Sequence, residues 1–149
     1  MSVNLIEWSS KISQAEKTRQ GIAPLTEQID SLSLKDAYSI QLEQVHRKVN
    51  EGDHITGKKI GLTSLAMQHL LKVDEPDYGH LLASMAIPNN VLDCSECIKP
   101  RVEAEIAFVM KEDLIGPNVT LEQVLAATDY VVASLEVVDS RIKDWKIKL

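Results

Sequence analysis

Several things are missing from this sequence, and each absence removes a class of function. There is no basic excess: the formal net charge is −6 and the isoelectric point is about 5.2. A general phosphate-backbone binder needs a positive face, so nucleic acid is not an expected partner. There is no Gly-rich phosphate loop, because "GKKIGLTS" at 57–64 has neither the P-loop spacing nor GxGxxG. No apolar run is long enough to span a bilayer. The first residues, "MSVNLIEWSSKISQAEK", lack the basic-then-apolar layout of a signal peptide. With two cysteines in the chain, that layout predicts a cytoplasmic setting. The Cys94–Cys97 CxxC has no second pair with which to make a structural zinc site. Asp93 and Glu96 beside it disfavour the thiolate that redox chemistry needs. The four histidines show no ligand spacing, and no repeat or linker is visible.

What is present is enough for one domain with a core: 149 residues, 44% hydrophobic and 26% charged. Leu5, Trp8, Ile12 and Ala15 recur at helical spacing, predicting a helix over about 3–19. Ser33 and Asp36 form an acidic relative of the capping box, opening a helix that Gly52 stops. A short strand is expected at 54–62, a short helix to about Leu71, and a loop in "VDEPDYGHL". Residues 101–111 read as a strand, Thr120 and Gln123 cap a helix over 121–128, and "YVVASLEVVD" at 130–139 reads as a buried strand. Helices first, then strands mixed with short helices, favour an α+β fold. Residues 1–52 would be mainly helical and 53–149 a mixed sheet within one domain. The chain ends on the amphipathic "SRIKDWKIKL", which suggests a fragment of something longer.

"RVEAEIAFVM", 101–110, sets two acids in an apolar run. On a strand, residues i and i+2 share a face, so Glu103 and Glu105 point together. Like charges so placed repel, and a hard divalent ion such as Mg²⁺ or Mn²⁺ would hold them. Glu136, the lone acid among apolar residues 131–138, is the candidate third ligand. Two readings stay open here. The pair could equally be the solvent face of a half-buried strand, with Glu136 paired to a core lysine or arginine.

Four blocks, "GKKIGLTS", "DEPDYGHL", "VEAEIAFVMKEDL" and "SLEVVDSRIKDWKI", resemble in order the 2-keto-4-pentenoate (2-hydroxypenta-2,4-dienoate) hydratases. They are similar also to the 4-oxalocrotonate decarboxylases, within the fumarylacetoacetate hydrolase superfamily. The resemblance implies N-terminal helices on a mixed, strongly curved sheet, here incomplete at its C-terminal side. It places the metal pair on Glu103 and Glu105, the third ligand on Glu136, and catalytic positions on Lys59 and Asp77. It implies hydration of 2-hydroxypenta-2,4-dienoate to 4-hydroxy-2-oxopentanoate, with Asp77 as general acid/base and Lys59 holding the substrate carboxylate or assisting Asp77. A small 2-oxo acid would be the substrate, in a homo-oligomer or a complex with a related decarboxylase. Decarboxylation or acylpyruvate hydrolysis, or service as an inactive interaction subunit, are the alternatives.

Overall fold

A computed structural model describes residues 3–71 and 73–147. The last two residues of the closing amphipathic stretch lie outside that range. The chain divides into two compact units, residues 1–99 with 140–149, and residues 100–139.

In the first unit, helix α1 runs Leu5–Thr18 and helix α2 runs Leu34–Asn50. Asn4 caps α1 by accepting from the Glu7 amide, and Arg19 closes it in the left-handed region. The capping box at Ser33 and Asp36 is formed in full. The helices pack through Trp8, Ala15, Ile40 and Val45, all buried. Glu16 on α1 accepts from Lys48 on α2 (2.7 Å) and lies 3.4 Å from the Arg141 guanidinium. Burial pushes the Glu16 carboxyl up, but the Lys48 hydrogen bond and the Arg141 and Lys48 charges outweigh it, and the net shift is downward. Ile22 forms a parallel bridge with Ile142, and its amide donates to Arg141 O (2.9 Å). Gly21 permits this close approach, because a Cβ there would sit 3.0 Å from Lys143 N and Cα.

Strand β1, Ile55–Gly61, helix α3, Leu65–Leu71, and strand β2, Asp77–Leu82, complete this unit. β1 and β2 pair antiparallel. The sequence reading made 73–81 a loop; Asp77 instead begins a strand. The turn formers Asp74 and Pro76 stop short of it, and residues 77–82 find a ladder partner in β1. Tyr78 stacks on Tyr38 of α2, with ring centroids 4.3 Å apart.

The second unit is a long ladder of strand β3, Arg101–Met110, and strand β4, Thr128–Val138, joined through helix α4, Leu121–Ala127. Thr120 and Gln123 cap α4 reciprocally. The Lys111 amide donates to Ala127 O (2.8 Å), closing the connection at one end and returning β4 antiparallel to β3. The fold is α+β. Where a mixed sheet was expected, the described residues form two antiparallel ladders and the one parallel bridge.

β4 is not buried as expected. Val102, Ile106, Phe108, Val131 and Leu135 share one face, and Ile106 and Leu135 are 68% and 72% exposed. Apolar patterning marks a face that can be buried, but burial also needs a second layer. No helix among the described residues is long and apolar enough to cross a membrane.

Candidate metal centre

The site residues come together through strand register. Glu103 and Glu105 alternate onto one face of β3. Glu136 of β4 lies directly opposite Glu103, and Ser134 opposite Glu105. Each of the three carboxylates offers an oxygen within 4.8 Å of the others. Glu103 and Glu105 are exposed and Glu136 is half-buried. Like charges facing one another across a ladder destabilise it. The arrangement therefore has an unfavourable term that a cation would remove.

The donor set fits a hard cation. It is all oxygen, which suits Mg²⁺, Mn²⁺ or Ca²⁺ over softer metals. Two oxygens on opposite sides of Mg²⁺ are about 4.2 Å apart, and around Ca²⁺ up to about 5.2 Å. The observed spread lies inside the larger limit and within a small side-chain movement of the smaller.

Lys59 and Asp77 lie in the other unit, on β1 and β2. Lys59 stands opposite Gly79, and Asp77 opposite Gly61. Both therefore project from the same face of the ladder as diagonal neighbours, a relation usually spanning about 7–8 Å. Gly57 faces Leu81 on that same side, so three of its six positions have no side chain. The sequence reading did not single out these glycines. Their common face emerges only from the pairing register, which no residue in 54–82 announces. It also missed Gln41, whose Nε2 donates to Tyr78 O (3.3 Å) and ties α2 to β2.

No family model matches the chain. Individual proteins do. A 2-hydroxypent-2,4-dienoate hydratase of Pseudomonas putida is 46% identical over 145 residues, 96% of this chain and 65% of that protein. A 2-keto-4-pentenoate hydratase of Paraburkholderia xenovorans is 42% identical over 95% of this chain and 53% of its own length. Among solved structures, 4-oxalocrotonate decarboxylase from Pseudomonas putida G7, complexed with magnesium and adipate, matches with a TM-score of 0.89 at 38% identity. That match covers 95% of this chain and 54% of the decarboxylase. The chain thus spans between about half and two-thirds of the length of these relatives. Over the length it spans, the chain belongs to the family of the 2-keto-4-pentenoate hydratases and 4-oxalocrotonate decarboxylases.

Proposed function

We propose that this chain carries the metal-binding part of a hydro-lyase that adds water to 2-hydroxypenta-2,4-dienoate, giving 4-hydroxy-2-oxopentanoate. The observation that carries the reading is the convergence of Glu103, Glu105 and Glu136 within 4.8 Å. Mg²⁺ or Mn²⁺ held there would act as a Lewis acid and template for the ketone and carboxylate oxygens of a 2-oxo acid. The three glutamates supply its negative charge and leave other coordination positions open. Asp77 is assigned the proton transfers, through its carboxylate oxygens, that turn the dienol into the conjugated ketone. Lys59 is assigned the substrate carboxylate, as a point charge on a flexible stem. The relatives named as hydratases favour this order of readings.

Decarboxylation of a 2-oxo dioic acid is the second reading, supported by the likeness to 4-oxalocrotonate decarboxylase. A cytoplasmic homo-oligomer, or a complex with such a decarboxylase, belongs to the same proposal. So does a wider, strongly curved sheet around β3 and β4, supported by the exposed apolar face they share.

Two measurements test the function. Calorimetric titration with Mn²⁺ should give one site per chain, and no binding would sink the metal reading. Loss of dienoate absorbance should depend on added metal and yield the hydroxy-oxo acid. Metal-independent turnover, or CO₂ release from the dioic acid with no hydration, would overturn the hydratase assignment.

A further inference from the structure

The role assigned to Asp77 leaves open what fixes the direction of its carboxylate, and the answer below rests on that assignment. The backbone around Asp77 is already held. Tyr78 stacks on Tyr38 with an interplanar angle of 9°, and Gln41 donates to Tyr78 O. Only the side-chain torsion of Asp77 remains to be set.

The three glycines on this face differ in what a side chain would meet. A Cβ at Gly57 would lie 3.7 Å from Leu81 Cδ1, and one at Gly79 3.4 Å from Lys59 Cγ. Both are ordinary van der Waals contacts. A Cβ at Gly61 would lie 3.0 Å from Asp77 Cγ and 3.4 Å from Oδ2, with Oδ1 closer still. Gly61 does not have the positive φ that would call for glycine on backbone grounds; among the glycines, Gly52 does. What position 61 cannot accept is a side chain where the carboxylate lies.

We propose that Gly61 is a positioning residue, its missing Cβ being the space into which the Asp77 carboxylate folds against β1. The carboxylate is thereby turned to the face it shares with Lys59. A methyl group at 61 would rotate it away, because α2 holds the β2 backbone. Misplacing a reacting group by about 1 Å can reduce rate on the order of 10²-fold.

The test compares Gly61→Ala, the control Gly57→Ala, Asp77→Ala and the double variant Gly61→Ala with Asp77→Ala. A crystal structure of Gly61→Ala should show the Asp77 side chain in another rotamer. A carboxylate still lying over residue 61 would overturn the proposal whatever the activity. Stability supplies a second arm. Gly61→Ala should lower Tm, Gly57→Ala should not, and the double variant should recover what Gly61→Ala loses. Additive losses would place the defect elsewhere and overturn the positioning role. In turnover, Gly61→Ala should lose at least about tenfold in kcat with KM little changed. It should add nothing once Asp77 is alanine. Wild-type kcat in Asp77→Ala would instead sink the proton-transfer assignment, leaving the first two arms to judge Gly61.

Discussion

Glu103, Glu105 and Glu136 make each other uncomfortable, and that discomfort is measurable. Replacing Glu105 by Gln removes one negative charge and one strong donor while keeping shape. Affinity for Mn²⁺ should fall on the order of 10–100-fold, the range seen even for groups that merely support metal ligands. Unchanged affinity in calorimetry would remove Glu105 from the site. Glu16 behaves differently, because its cations come from the protein: Lys48 and Arg141 hold its carboxyl below the ordinary range despite partial burial. It therefore binds its proton more weakly folded than unfolded. Its contribution is complete above the ordinary carboxylate range and disappears as pH falls through the lowered folded value. Denaturant midpoints followed downward from pH 7 should decline less steeply below about pH 4.5 in Glu16→Gln than in the parent. Equal slopes would show that the ion pairs add nothing.

At the level of elements, the caps are where sequence and structure agree most closely. Ser33 with Asp36, and Thr120 with Gln123, start α2 and α4 where their spacing says. Such boxes are local: every partner lies within three residues, so nothing distant can override them. Ser33→Ala should cost about 1 kcal/mol, read as a shift in denaturant midpoint at constant slope. No shift would mean that α2 is held by packing alone. β2 shows the opposite case. "DEPDYGHL" is rich in turn formers, and only the antiparallel partner β1 makes Asp77–Leu82 a strand. The glutamate pair was legible because alternation within β3 is also local. Glu136 was flagged as a lone acid in an apolar run, but its place opposite Glu103 depends on a register fixed across 33 residues. Gly61 could not be read at all, since its meaning lies in the Asp77 side chain across the ladder.

For the whole molecule, the two units should respond differently to divalent ions. The glutamates all lie in the unit of residues 100–139, so an ion that binds the folded state stabilises that unit by mass action. At 100 times the dissociation constant the gain is about 2.7 kcal/mol. Hydrogen exchange should therefore show amides of β3 and β4 slowing on addition of Mg²⁺, with those of α1 and α2 little changed. Uniform slowing, or none, would contradict an ion seated on these three side chains.

The cross-strand facing of Glu103 and Glu136 has a consequence for how such a hairpin lives in a cell. Their mutual repulsion works to part the strands at the point where the acids meet. When magnesium is scarce, this hairpin should be cut sooner by a protease than when it is plentiful, so its survival would record ionic supply before any substrate arrives.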